Sequence, residues 1–294
     1  MPMAKRNVGI LGLGIMGSAM AANLLRAGFR VTGYDPVAGC RQRLRRAGGV
    51  AAGSVEEVAG AASILIASLP SAEALARVAK EIARAKRKGL VVIETSTLPI
   101  TAKERARKKL AAAGATLLDC PLSGTGAQAR VKDLVVYGSG ERAAFVKVVP
   151  VLKGFSRAHY YLGRFGNGSK MKFAANLLVA IHNVSSAEAV ILARKAGLDA
   201  ALAVKVLGDG AGASRMLQVR GPLMVRRSYL PATVTNETWR KDMKIIGAFV
   251  RGLKSPAPLF NATKRLYNAA MAQGRARQDT AAVCAVLEKQ GRKP

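Results

Sequence analysis

Histidine is nearly absent, with only His159 and His182 among 294 residues. Neither a histidine-built metal centre nor a Ser-His-Asp triad has the material it needs. Catalysis must therefore draw on lysine, serine, aspartate, asparagine or a cofactor. Cysteine is scarce as well: Cys40, Cys120 and Cys284 are odd in number, widely spaced and without a Cys-x-x-Cys pair. That pattern offers no disulfide framework and no zinc site, and reads as buried thiols in a reducing compartment. Aromatic residues make up 5% of the chain, so no stacking platform for single-stranded nucleic acid is evident. Acidic residues are the third shortage, 17 against 47 Lys and Arg, for a net charge of +30. Such a balance favours anionic partners. The basic clusters, "CRQRLRR" and "KERARKK" among them, nevertheless fall on polar faces of separate predicted helices. A solvated basic surface is expected, with non-specific nucleic-acid affinity as a by-product and no specific nucleic-acid partner. No run of about 18 uninterrupted apolar residues occurs, and the apolar stretch in "MPMAKRNVGI" is too short for a secretory signal. The expectation is a cytoplasmic protein with no membrane partner.

What the chain does contain is apolar residues, which form half of it and predict a sizeable core. From Asn7 to about residue 160, short β-rich runs ("NVGILGLG", "RVTGYD", "SILIASLP", "LVVIETST", "ATLLDCPL", "DLVVYGSG") alternate with helical stretches. Alternation of this kind predicts βα units on a mostly parallel sheet. After about residue 165 the texture becomes helical throughout. The predicted fold is a Rossmann-type α/β domain over residues 1–164, then an all-α domain over 165–294. A long interdomain helix over about 167–196, stopped at Gly197, joins them. "GDGAGAS", "RGPL" and "KSPAPL" are expected to break the remainder into shorter helices.

Gly12, Gly14 and Gly17 follow the first predicted strand and open the first helix, in the Gly-x-Gly-x-x-Gly order of a dinucleotide-binding turn. The first permits the tight turn, the second lets a pyrophosphate approach the backbone, and the third lets helix pack on strand. The second strand ends in Asp35, 23 positions after Gly12. An acid there accepts hydrogen bonds from ribose hydroxyls and repels a 2′-phosphate, which favours NAD over NADP. Two features keep NADP open: Asp35 also suits an ordinary Asp-Pro turn, and Arg41 and Arg43 lie near enough to neutralise a phosphate.

"GNGSKMKFAANLL", residues 166–178, sets Lys170 and Lys172 at the start of the long helix. Lys172 shares a face with Asn176 at i+4 and with Asn183 further on, whereas Lys170 has Ala174 at the same offset. A stripe of Lys and Asn on an otherwise apolar helix, with no carboxylate partner in view, predicts a surface lining a cleft. Most lysines are solvated surface charges. Helical geometry favours Lys172 of the two, but taken alone leaves either as such a charge.

These motifs resemble the β-hydroxyacid dehydrogenase family, which includes 3-hydroxyisobutyrate dehydrogenase and tartronate semialdehyde reductase. The resemblance is collinear through "GLGIMG" at 12–17, "SLPS" at 68–71, "TSTLP" at 95–99, "DCPLSG" at 119–124, "GRFGNGSKMKFAAN" at 163–176 and "KDM" at 241–243. It implies an NAD(P)-dependent dehydrogenase or reductase acting on a small β-hydroxyacid or its semialdehyde. Lys172 would be the general acid/base, Asn176 would orient the substrate, and Ser123 and Gly124 would form the carboxylate-binding turn. Gly12, Leu13, Gly14, Ile15, Met16, Gly17, Asp35, Leu69, Pro70 and Thr97 would surround the cofactor, and Lys241 would reach over it from the helical domain. A base is required because a hydride leaves a carbinol carbon only as the hydroxyl proton is removed. The resemblance also implies a homodimer or homotetramer and a domain cleft that closes on a small carboxylate substrate. The other readings are a carbonyl or imine reductase on the same fold, whose members generally lack this lysine, and a non-catalytic basic nucleic-acid-binding relative.

Three positions depart from the family pattern. Thr125 stands where a second glycine is usual, Ala175 replaces the first of two asparagines, and Lys132 replaces a glycine. Thr125 is expected to narrow the carboxylate site or add a hydrogen bond to it, and Lys132 to bend its loop differently. Either also fits an ordinary surface or loop residue.

Overall fold

The computed structural model describes residues 7–291. The chain divides into two units, Met1–Lys172 and Phe173–Pro294, at a point inside the long helix. In the first unit six strands, β1 (Asn7–Leu11), β2 (Arg30–Tyr34), β3 (Val50–Ala51), β4 (Ile64–Ala67), β5 (Val91–Glu94) and β6 (Thr116–Asp119), form one sheet. Their order is β3-β2-β1-β4-β5-β6 and every pairing is parallel. Strands covered by helices on both faces must be apolar at successive positions rather than alternating. β4 meets that demand at all four positions and β5 at its first three, Glu94 being buried as a charged residue. Ile10, Ile66 and Ile93 face one core layer, with Leu24 and Phe155, while Leu11, Leu65 and Val92 face the other, with Val58 and Leu75. Each such side chain contributes roughly 1.5–3 kcal/mol by leaving water.

The strand order reverses between β1 and β4, and this switch point places the loops after β1, β4 and β5 side by side at one edge. The two-residue strand β3 is too short to have left a pattern in the sequence. "DLVVYGSG" does form a strand, β8 (Val135–Gly138), but not in the main sheet. It pairs antiparallel with β7 (Leu122–Ser123) and parallel with β9 (Ala158–Tyr161) in a separate three-stranded sheet. β9 reads "AHYY" and is half-buried, so it lacks the apolar run by which a strand is recognised.

The second unit consists of the remainder of the long helix Asn167–Lys195 and the helices Ala200–Asp209, Arg215–Arg226, Asn236–Gly252, Pro258–Ala272 and Val283–Gln290. Gly197 takes a positive φ of 77° just beyond the long helix and supplies its stop. "RGPL" does not break a helix as the sequence suggests, because Pro222 lies inside Arg215–Arg226. A Cβ on Gly221 would come within 2.8 Å of Val204 Cγ1, so the Gly-Pro pair marks close packing of two helices. By length and composition alone the long helix would pass for a membrane span. Its buried Ala180, Val184, Ala187 and Val190, and the bonds of Asn183 to Tyr267 and Thr280, are instead those of a core helix.

Candidate active site

The loop after β1 answers the glycine motif position by position. Gly12 has φ +91°, and a Cβ there would lie 2.2 Å from the Ser68 carbonyl oxygen. A Cβ on Gly17 would lie 1.9 Å from the Gly12 oxygen, so strand and helix touch backbone to backbone. Gly14 differs, with open space where its Cβ would stand. It caps the helix Ile15–Arg26 without any side-chain acceptor, which leaves the first-turn N–H groups for an anion. These residues fit a dinucleotide pyrophosphate. Leu13 contributes backbone only, since its side chain is in the core. Ile15 is exposed, and Met16 packs on the core from its rim.

Asp35 forms the Asp-Pro turn and a second contact besides. Its Oδ2 accepts the Leu13 N–H at 2.8 Å and braces the glycine loop, while its Oδ1 accepts the Val37 N–H at 2.8 Å as an Asp-Pro turn does. Arg41 donates to the Asp35 carbonyl at 2.6 Å and lies over the Tyr34 ring. Leu69 and Pro70 follow β4, and Thr97 follows β5, so both loops sit beside the glycine turn. The Leu69 N–H donates to Ser96 Oγ at 2.8 Å, which ties these two loops together.

Ser123 ends β7, and Gly124 follows with φ +134° and no room for a Cβ, which would meet Leu134 Cδ2 at 2.6 Å. Thr125 is primarily a helix cap. Its Oγ1 accepts the Gln128 N–H and its own N–H donates to Gln128 Oε1, a capping box for Gly126–Arg130. Lys132 holds a left-handed backbone, φ +62°, the conformation that glycine adopts without cost. Since that conformation costs a side-chain-bearing residue about 1–2 kcal/mol, Lys132→Gly is expected to raise stability by about 1 kcal/mol, read as a higher denaturant midpoint at constant slope.

The two lysines of the long helix part company. Lys170 is exposed, with Nζ 3.2 Å from Asn167 Oδ1, whereas Lys172 is 8% exposed. The helix begins where it does because Gly168 has no Cβ: one would meet the Tyr137 oxygen at 2.2 Å and the Asp119 oxygen at 2.6 Å. Its first N–H groups are met by other elements. Gly168 donates to Ser139 Oγ at 2.9 Å and Ser169 to Asp119 Oδ2 at 2.8 Å, and Ser169 Oγ donates to Asp119 Oδ1 at 2.8 Å. Behind Asp119 lies Lys103, fully buried, 2.8 Å from Asp119 Oδ1 and 2.6 Å from Glu94 Oε2. Burial by itself lowers the Lys103 pKa, but Glu94 and Asp119 outweigh it and push it up to about 12. The adjacent Cys120 thiol is pushed up by burial and by Asp119, which keeps it protonated and inert.

In the second unit Asn176 is buried, and its Nδ2 donates to Asp242 Oδ2 at 3.2 Å. The sequence stripe therefore does have a carboxylate partner, supplied by a different helix. Lys241 is partly exposed, with Nζ 3.5 Å from Asp242 Oδ1. Asn183 does not continue a cleft-lining stripe. It is fully buried in the helical core, donating to Tyr267 Oη and Thr280 Oγ1 and accepting from Arg220, which pairs with Asp279 at 3.0 Å. The sequence reading missed Glu94, Ser96, Lys103, Asp119, Ser139, Ser169 and Asp242. Ser96, Asp119, Ser169 and Asp242 stand inside the motifs that carry the family resemblance. Lys103 carries one further signal: it shares the buried side of its helix with Ala106 and Leu110, at i+3 and i+7.

Comparison with known proteins places this geometry. The family described as the NAD binding domain of 6-phosphogluconate dehydrogenase matches residues 7–163. The family described as NAD-binding of NADP-dependent 3-hydroxyisobutyrate dehydrogenase matches residues 166–287. L-threonate dehydrogenase of Cupriavidus necator is 32% identical over 286 residues, covering 96% of each chain. A crystal structure of 3-hydroxyisobutyrate dehydrogenase from Salmonella typhimurium superposes with a TM-score of 0.87 at 29% identity, over 96% of this chain and 100% of that one. The Mycobacterium tuberculosis 3-hydroxyisobutyrate dehydrogenase with L-serine gives 0.86 at 26% identity, over 97% and 99%.

Proposed function

The chain belongs to the β-hydroxyacid dehydrogenase family and is an NAD(P)-dependent oxidoreductase acting on CH–OH groups, and from that premise we propose that Lys172 is its general acid/base and a small β-hydroxyacid or its semialdehyde its substrate. One observation carries the assignment: of the two lysines at the start of the long helix, only Lys172 is buried. A surface charge has no reason to be withdrawn from water, and withdrawal costs free energy that a proton-transferring amine turns to use.

When bound, the nicotinamide accepts a hydride from the carbinol carbon or returns one to the carbonyl. The chain's own residues handle the proton and the carboxylate. The neutral amine of Lys172 takes the hydroxyl proton as the alcohol is oxidised, and the ammonium gives it back in reduction. Ser123 and the turn at Gly124 receive the substrate carboxylate. Asn176, one turn along from Lys172, orients the substrate through its Oδ1. A carboxylate only accepts hydrogen bonds, so the contact with Asp242 must be made by the Asn176 NH2 group, which leaves the amide oxygen as the acceptor for a substrate hydroxyl. Glycine loop, Asp35, Leu69, Pro70 and Thr97 hold the cofactor, and Lys241 adds a cation beside the Asn176–Asp242 pair.

Asp35 favours NAD, because its carboxylate at the end of β2 would repel a 2′-phosphate. The apolar Ala200–Asp209 helix has no buried residue, and Leu198, Leu202 and Val206 on and beside it are exposed, which supports burial against a second copy in a homodimer or homotetramer.

The test is a panel of 3-hydroxyisobutyrate, L-serine, L-threonate and D-glycerate, assayed by absorbance with each nicotinamide. Turnover of at least one acid with higher kcat/KM on NAD is expected, and absence of turnover on any small hydroxyacid would overturn the reading. Asp35→Asn retains an oxygen for the Leu13 N–H and removes the charge. It should improve the NADP-to-NAD ratio of kcat/KM by about tenfold, equivalent to about 1.4 kcal/mol.

A further inference from the structure

The first unit contains a buried polar chain that the proposed chemistry leaves without a role. It begins at the cofactor side, where the Leu69 N–H donates to Ser96 Oγ at 2.8 Å. The Ser96 N–H donates to Glu94 Oε1 at 2.9 Å, and the Ser96 carbonyl accepts from Lys103 Nζ at 2.7 Å. Lys103 bridges Glu94 and Asp119, and Asp119 accepts both the N–H and the hydroxyl of Ser169. Ser139 supports the same end, accepting the Gly168 N–H and donating toward the Asp119 carbonyl at 3.2 Å and carboxylate at 3.3 Å. Ser169 stands three residues before Lys172 on the same helix.

Glu94, Lys103, Asp119 and Ser139 are all fully buried. One ammonium against two carboxylates leaves a net negative charge inside the unit. That charge is tolerable because Asp119 faces the positive end of a 29-residue helix and accepts its unsatisfied N–H groups. An apolar filling would hold the strands together as well, and buried ion pairs are poor stabilisers compared with well-packed hydrocarbon. What such a network supplies that hydrocarbon does not is direction, since every hydrogen bond fixes an angle as well as a distance.

We propose that the Glu94–Lys103–Asp119 cluster is a positioning device that fixes the first turn of the long helix, and with it Lys172, in register with the loops bearing Leu69 and Thr97. The proposal rests on Lys172 being the acid/base. The cluster residues are positioning residues and touch neither substrate nor cofactor. Their effect on turnover runs through the orientation of one amine, where misplacement by about 1 Å costs as much as 10²-fold in rate.

Ser169→Ala removes one hydroxyl from the full-length protein and leaves Lys172 in place. Ser186→Ala is the control: a buried serine on the same helix, its Oγ donating to the His182 carbonyl at 2.6 Å, without contact to the cluster. Ser169→Ala is expected to lower kcat about tenfold, to leave the KM for the nicotinamide within about twofold, and to move the basic-group limb of the pH–rate profile. Amide hydrogen exchange at residues 168–172 should quicken, and the control should show none of these changes. Ser139→Ala, which strips the acceptor of the Gly168 N–H, should act in the same direction and serves if Ser169→Ala does not fold. Parental kcat and pH profile in these variants, or an equal loss in Ser186→Ala, would overturn the proposal. Should Lys172→Ala itself keep normal turnover, the acid/base assignment fails separately. In that case unchanged exchange at 168–172 in Ser169→Ala would sink the anchoring role too, and faster exchange would retain it as anchoring alone.

Discussion

Lys172→Ala is expected to lower kcat by about 10²–10⁴-fold on every hydroxyacid the protein turns over, while nicotinamide binding, followed by fluorescence or calorimetry, stays within about twofold. The split follows from the assigned roles. The glycine loop, Asp35 and Leu69 are held through one another and through Ser68 and Ser96, all within the first unit. Under the proposed mechanism the substitution deletes the acceptor for the hydroxyl proton, without which the carbinol carbon cannot release its hydride at an appreciable rate. Lys172→Arg should be nearly as slow, because a guanidinium holds its proton across the accessible pH range and cannot act as the base. Turnover near the parental rate in either variant would remove the amine from the mechanism.

The second large effect is on stability. Lys103→Met is expected to destabilise the fold by about 3–5 kcal/mol, because it leaves Glu94 and Asp119 as two buried carboxylates with no cation between them. For a chain of this size that corresponds to a fall in Tm of roughly 10 °C. The pH dependence separates this from a packing defect. In the parent, Lys103 has a pKa raised from 10.5 to about 12. Its contribution is fully present below pH 10.5 and is lost as pH rises through 12. In Lys103→Met that alkaline loss should be absent, so the gap between parent and variant should narrow as pH rises from 10.5 through 12. A loss of the same size at every pH would mean that hydrocarbon packing, not charge, is what Lys103 supplies.

The parts of this molecule that announce themselves in the sequence are those governed by period and by backbone necessity. Glycines at 12 and 17 are dictated by sterics and Gly14 completes the motif between them, so strand, turn and helix are legible together. The long helix is legible because no Gly or Pro interrupts the chain between Ser169 and Gly197. The same logic misleads where a residue type has two uses. Gly221 and Pro222 look like a stop and are a packing contact, while Asn183 looks like part of a polar cleft and is a satisfied core amide. Strand partners are not written locally, so nothing in "DLVVYGSG" sets β8 apart from the strands of the main sheet. Lys103 is the hardest case. In "KERARKK" it is one cation among five, and only the strands that bring Glu94 and Asp119 to either side of it distinguish it from its solvated neighbours.

The bare backbone at position 168 has a bearing on how relatives with this scaffold diverge. Two strand carbonyls occupy the place of any side chain there, so the start of the helix cannot be lifted or rolled without displacing both strands. New substrate preferences must then arise by exchanging the groups displayed on a frame that stays put. A randomised library aimed at altered selectivity should hold that codon constant and spend its diversity on the turn after β7 and on the neighbours of Asn176.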